Sequence, residues 1–124
     1  MKLLLALVLV PSLAFADKSY NDSAQTVTHD CAKEPSVAIN GSAGTYTFTG
    51  ACEKISVNGS SLKVIAASVS KLAINGSSNT VDVDAADKIS VTGSSNKVTY
   101  KKGVTGAKPK TSSLGTDNKI SQQK

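Results

Sequence analysis

Arginine and tryptophan are absent from this sequence of 124 residues, and aromatic residues make up only 4% of it. All 14 basic side chains are lysines, and the formal net charge is +5. A basic surface attracts anionic polymers. Nucleic acid is not the expected partner, because the chain has no guanidinium for bidentate base contacts and few rings for base stacking.

Long apolar runs are also scarce, and the longest one stands at the start. Residues 1–16, MKLLLALVLVPSLAFA, combine one lysine, an apolar centre and the small-x-small end Ala14-Phe15-Ala16. This pattern predicts a Sec-type signal peptide that is cleaved after Ala16, and therefore a secreted or periplasmic protein. An uncleaved interfacial anchor is the alternative. No later run is long enough to cross a membrane.

Metal-binding side chains are few. Histidine occurs once, as His29, and cysteine twice, as Cys31 and Cys52. An even number of cysteines in an exported chain predicts a disulfide between them. A metal pair is the alternative, but two thiols and one imidazole are a thin ligand set, so we expect no metal and no cofactor.

Helical periodicity is missing too, and a short repeat takes its place. The octets KISVNGSS, KLAINGSS and KISVTGSS begin at Lys54, Lys71 and Lys88, at equal intervals along the chain. If the glycine of each octet is taken as the reference, further copies centre on Gly41, at a slightly longer interval before Gly59, and on Gly115, at a clearly longer interval after Gly93. Five copies at a short period indicate a solenoid.

Apolar residues alternate with polar ones within each copy. Alternation of period two predicts strands with one buried face. The predicted inward side chains of two successive copies include Val81, Val83, Ile89, Val91 and Val98.

Asn-Gly pairs at Asn40, Asn58 and Asn75 are typical of turns. In isolation they suggest hairpins, and an antiparallel β-meander is the alternative fold. A copy of about 17 residues is long enough to close one loop of a solenoid, at roughly 3.3 Å per residue. We therefore predict an all-β, short parallel β-solenoid of about five coils of about 17–18 residues, with strands stacked in register.

A second polar column follows the glycines. Asn79, Asn96 and Asn118 stand three residues after their glycines. Stacked asparagines can hydrogen-bond from coil to coil as a ladder. The alternative is that GSSN is only a favourable turn sequence.

The domain boundaries follow from the repeat. Residues 17–30 lack it and are expected to form an N-terminal extension that caps the first coil. Residues 31–124 form the repeat domain. The Lys-, Gly- and Ser-rich stretch 101–113 is predicted to be a loop inserted before the last coil.

The repeat units resemble a known family. Cys31, the stretches VAINGS and TFTGAC, the octet at Lys54, KLAINGSSNTVDV, KISVTGSSNKVTY and GTDNKI are similar to the domain of unknown function 3060 family. The resemblance covers residues 31–122. It implies an exported protein with a β-rich repeat fold, and it implies no reaction.

Lysines recur at one place of the repeat. Lys54, Lys71, Lys88 and Lys110 each stand five residues before a reference glycine. Stacked coils would align their ammonium groups about 4.8 Å apart. The functional interpretation is a basic stripe that binds an anionic glycan or envelope lipid. The structural interpretation is a solvated face whose lysines protect the sheet edge.

Paired carboxylates are the main argument for an enzyme. Asp82 and Asp84 alternate on one outward strand face, where carboxylates could bind a cation or act in acid–base catalysis. Lys101 is expected one coil above Asp84, and such ion pairing accounts for the acids without chemistry. We predict no catalytic residues, and a non-enzymatic binding or structural module of the periplasm or cell surface. A small carbohydrate-active or metal-dependent enzyme is the alternative.

Overall fold

A computed structural model describes residues 18–104 and 108–123. All regular structure in these residues is β-strand, in one sheet whose strand pairs are all parallel and which winds into a solenoid of about six turns. The predicted fold class is confirmed, and the antiparallel meander is excluded. The predicted signal peptide, residues 1–16, lies outside the described residues. The strands are β1 (Lys18–Tyr20), β2 (Thr26–Asp30), β3 (Ser36–Ser42), β4 (Thr45–Ser60), β5 (Lys63–Ser77), β6 (Thr80–Ser94), β7 (Lys97–Lys102), β8 (Lys110–Thr116) and β9 (Lys119–Gln122).

The three central strands each make most of a turn. β4, β5 and β6 are 16, 15 and 15 residues long, and each pairs in register with the next. Gly59 pairs with Gly76, and Gly76 with Gly93. The regular interval between the octets of the sequence is therefore one turn of the solenoid.

The longer interval between Gly41 and Gly59 is explained by a bulge in β4. Phe48 pairs with Ala66, but Ala51 pairs with Ser68, so β4 holds one residue more than β5 at this point. Gly50 lies in the bulge with a φ of 79°, a left-handed conformation that glycine adopts without a steric penalty.

The insertion before the last coil is shorter than the predicted loop. β7 continues to Lys102, which pairs with Ala85, and β8 already begins at Lys110, which pairs with Lys88. The connection therefore covers residues 103–109, of which 105–107 lie outside the described residues. Both ends of the 101–113 stretch are strand, because the sheet of the preceding coil offers them backbone partners.

Residues 18–30 add a further turn to the five predicted coils. β1 pairs with β3, and β2 pairs with β4, both in parallel. His29 is paired with Phe48 and is buried, and Tyr20 is paired with Ile39 and half-buried. The segment expected as a cap is thus the first turn of the solenoid, with Tyr20 where the next turns have Ile39 and Val57.

Alternate side chains fill the interior, as predicted. Val81, Ile89 and Val98 have no measurable exposure. The last turn differs, because Thr111 and Ser113 take the places paired with Ile89 and Val91, and both are exposed.

The bend of each turn lies beyond the Asn-Gly pairs. These pairs were predicted as turns, but they lie inside β3, β4 and β5 and continue the ladder. The chain bends two residues after each glycine, where a residue other than glycine has a φ between 54° and 57°. These left-handed residues, with the equivalent one of the first turn, are Ala24, Ala43, Ser61, Ser78, Ser95 and Asp117.

Candidate functional site

The two cysteines form a disulfide, which confirms that prediction. Cys31 and Cys52 are both buried, with Cα atoms 4.9 Å apart. Cys52 pairs with Val69 in the sheet, so the disulfide occupies an inward position. The bond ties the segment after β2 to the middle of β4.

Removing this disulfide is expected to lower the free energy of unfolding by about 3 kcal/mol, since it closes a loop of about 20 residues in the unfolded chain. A Cys31→Ala, Cys52→Ala double variant and the unmodified protein should be compared by urea unfolding, with and without a reductant. Reductant should affect only the unmodified protein. Two reactive thiols in unfolded, unreduced protein from an oxidising compartment would contradict the assignment.

His29 belongs to an aromatic cluster at the first turn. Its Nε2 donates to the carbonyl of Glu34 at 2.9 Å, so in the neutral imidazole Nδ1 accepts from the Tyr20 hydroxyl at 2.7 Å. The His29 ring also meets Phe48 edge to face. Burial, and secondarily the Glu34 carboxylate, raises the pKa of Tyr20, which favours the protonated hydroxyl that this hydrogen bond needs. The histidine holds the terminal turn in place.

Asn79, Asn96 and Asn118 form a ladder inside the solenoid, which we call the inner ladder. Each side-chain oxygen accepts a backbone N–H from the preceding turn: Leu62, Asn79 and Asn96 donate, at 3.0–3.1 Å. Each Nδ2 donates to the carbonyl of a glycine one turn earlier, at 2.9–3.0 Å. The predicted ladder is present, and its bonds run mainly from side chain to backbone, which satisfies polar groups at the bends.

The lysines of the repeat form an aligned row on the outside. Lys54 pairs with Lys71, Lys71 with Lys88, and Lys88 with Lys110. All four side chains are exposed. In the part of the chain that the structure describes, none of them forms an ion pair with another residue. We call this row the lysine column.

A second row on the same face was missed by the sequence analysis. Asn40 donates to Asn21 at 2.9 Å, Asn58 to Asn40 at 3.1 Å, and Asn75 to Asn58 at 3.2 Å. We call these four residues the outer ladder. The signal was the recurrence of asparagine directly before Gly41, Gly59 and Gly76, which the interpretation of Asn-Gly as a turn obscured.

Asp82 and Asp84 lie on another side of the solenoid, and both interact with side chains of the next turn. Asp84 lies 3.6 Å from the Lys101 ammonium, as the sequence predicted, and both side chains are exposed. Asp82 accepts a hydrogen bond from the Thr99 hydroxyl. The Asp84–Lys101 ion pair is exposed and therefore contributes little to stability.

Within residues 18–104 and 108–123, no three histidine, cysteine or acidic side chains come together as a metal site. Over the same residues, no helix is long and apolar enough to cross a membrane.

Comparison with known proteins supports the resemblance that the repeats suggested. No curated protein and no solved structure matches the chain. The family profile described as a protein of unknown function (DUF3060) matches residues 39–77 and 69–117, more than half of the chain. The matched ranges contain all of the column lysines, three residues of the outer ladder and the glycines that pair from turn to turn. The chain therefore belongs to the DUF3060 family.

Proposed function

We propose that this protein is an exported, non-enzymatic binding module that attaches to an anionic polymer of the cell envelope through the lysine column. The observation that carries the proposal is the alignment of Lys54, Lys71, Lys88 and Lys110 without ion-pair partners in the described chain. Like charges about 4.8 Å apart repel one another. A bound polyanion would remove this repulsion.

Two further observations support the proposal that the protein is exported and that it is not an enzyme. A structural disulfide is typical of oxidising compartments, which fits export directed by residues 1–16. Asp82 and Asp84, the carboxylates considered for catalysis, are already bonded to Thr99 and Lys101. The proposed binding, in the periplasm or at the cell surface, depends on the exposed lysines and not on these carboxylates.

The proposal is tested by replacing Lys54, Lys71 and Lys88 together with glutamine. With about 1 kcal/mol for each exposed charge pair, affinity for an anionic polysaccharide should fall by about a hundredfold. The matched control replaces Lys63, Lys97 and Lys119 with glutamine. It removes the same charge from a different row, in which Thr80 stands between Lys63 and Lys97. The control should bind almost normally.

Binding should be measured by titration calorimetry at several salt concentrations, because exposed charges are screened over about 8 Å at physiological ionic strength. Thermal unfolding of all three proteins checks that the fold is intact. Equal losses of affinity in both triple variants would show that binding depends on the net positive charge and not on the lysine column. If the unmodified protein binds neither anionic polysaccharides nor anionic lipid vesicles, the proposal is wrong.

A further inference from the structure

The lysine column and the outer ladder lie on one face of the solenoid and run side by side along the turns of β4 and β5. Asn58 follows Lys54 by four residues on β4, and Asn75 follows Lys71 by four on β5. An even separation puts both side chains on the same side of a strand, about 13 Å apart at roughly 3.3 Å per residue. Both rows run from turn to turn, across the strands.

The floor between these two rows is made of small side chains. The residues midway between the column and the ladder are half-buried and pair from turn to turn: Ala38, Ser56, Ala73 and Ser90. Two shallow depressions open onto this floor. One is lined by Ala38, Lys54, Ser56 and Asn58 among others, and the next by Lys54, Lys71, Ala73, Lys88 and Ser90 among others. The face is therefore a groove along the solenoid axis.

The amides of the outer ladder keep unused hydrogen-bonding groups. Asn58 uses one N–H toward Asn40 and one oxygen lone pair toward Asn75. An amide has two N–H groups and two lone pairs, so one of each is left for a partner outside the ladder. The ladder also fixes the side-chain rotamers, which lowers the entropy lost on binding.

The turns of β4 and β5 therefore each offer one ammonium and one amide, about 4.8 Å from the next pair, and Lys88 and Lys110 continue the row of ammonium groups over the next two turns. We propose that this groove binds a single chain of a linear polyuronate along the solenoid axis, with one sugar for each turn. The carboxylates of the polymer contact the lysine column, and the hydroxyls of the sugars at β4 and β5 face Asn58 and Asn75. This inference rests on the proposed function and names its ligand class.

The chemistry of the groove favours this ligand over other polyanions. A sugar residue in a linear chain advances by a distance similar to the spacing of the turns, so each turn meets about one sugar, and the long lysine side chains can reach carboxylates on either side of the polymer. Polyphosphate carries more closely spaced charges and has no hydroxyls for the amides. A bilayer surface would need several apolar side chains to insert, whereas the groove presents mainly serine, alanine and asparagine, with Leu114 as the large exposed apolar side chain of its last turn.

The first test measures the affinity of the full chain for oligogalacturonates of two to eight sugars. Affinity should rise steeply up to about four sugars, the length that spans the four turns from Lys54 to Lys110, and much less beyond that. Affinity that keeps rising in proportion to total charge, as it would for diffuse attraction, would overturn the inference.

The second test uses Asn58→Ala with Asn75→Ala. Affinity for a hexagalacturonate should fall about tenfold, because the lost hydrogen bonds to hydroxyls are not replaced. Affinity for inorganic polyphosphate should stay within about twofold, since its binding uses charge alone. The control, Thr45→Ala with Thr80→Ala, removes two hydroxyls from the other face and should leave both affinities unchanged.

A conservative pair, Asn58→Thr with Asn75→Thr, guards against a folding defect, because Thr92 already occupies this column in β6. The inference is wrong if the alanine pair lowers the affinity for both polymers equally, or if it leaves the affinity for the hexagalacturonate unchanged. Either result would leave the proposed role of the lysine column standing. If neither polymer binds the unmodified chain, this inference fails, whereas the proposed function fails only if other anionic polysaccharides and anionic lipid vesicles do not bind either.

Discussion

Replacing Gly76 with alanine is expected to unfold the domain. A Cβ atom on Gly76 would overlap the carbonyl oxygen of Gly59 in the turn below, and the φ of 138° is itself unfavourable for alanine. That oxygen belongs to the backbone, so it cannot move without separating β4 from β5. We expect a loss of about 4 kcal/mol or more, at the upper end of single-residue effects.

Circular dichroism and urea unfolding will measure this effect. The matched control is Ser77→Ala, one residue further along β5, where φ is ordinary and the ladder is kept. It should change stability by less than about 0.5 kcal/mol. A Gly76→Ala variant with a normal unfolding midpoint would show that the turns are not stacked as closely as described.

Val81→Asp is expected to unfold the domain as well, for a different reason. Val81 is fully buried between Val64 and Val98 in the adjacent turns. A carboxylate there has no cation or hydrogen-bond donor, and an unpaired buried charge costs several kcal/mol.

Thr80→Asp is the control for this prediction, one residue earlier and exposed. Thr80 is paired with Lys63 on one side and Lys97 on the other, so an aspartate there gains two opposite charges. Its unfolding midpoint should be unchanged or slightly raised. If both variants unfold alike, the assignment of inward and outward positions is wrong.

The repeated part of the fold could be predicted because each turn obeys one rule. Stacking in register places identical positions of successive copies against each other, so the spacing of Gly59, Gly76 and Gly93 is enough to align β4, β5 and β6. The disulfide followed from an even cysteine count in a chain that the sequence predicts to be exported.

The first turn could not be predicted in the same way. Its segment lacks the octet and the reference glycine of the repeat, and Tyr20 and His29 occupy inward positions where the sequence shows no run of alternating aliphatic residues. The interaction of His29 with the Glu34 carbonyl depends on the path of the chain after β2.

The outer ladder was missed because a local preference conflicted with the stacking. Asn-Gly favours a turn in an isolated peptide. In the solenoid, glycine is required at that place by the close approach of the next turn, and Asn58 gains a partner above and below. Only the stacked arrangement shows why both residues recur together.

Two polar side chains at inward positions of the last turn have a consequence for assembly. A parallel solenoid ends in unpaired backbone groups, which could accept the first turn of another copy and so build a fibre. Thr111 and Ser113 stand where a continuing stack would need apolar side chains, and Pro109, which lacks a backbone N–H, precedes β8. Another copy placed there would bury two hydroxyls and gain little apolar contact. The length of the groove is thus set by one chain, and a long polymer would be held by separate molecules bound at intervals along it.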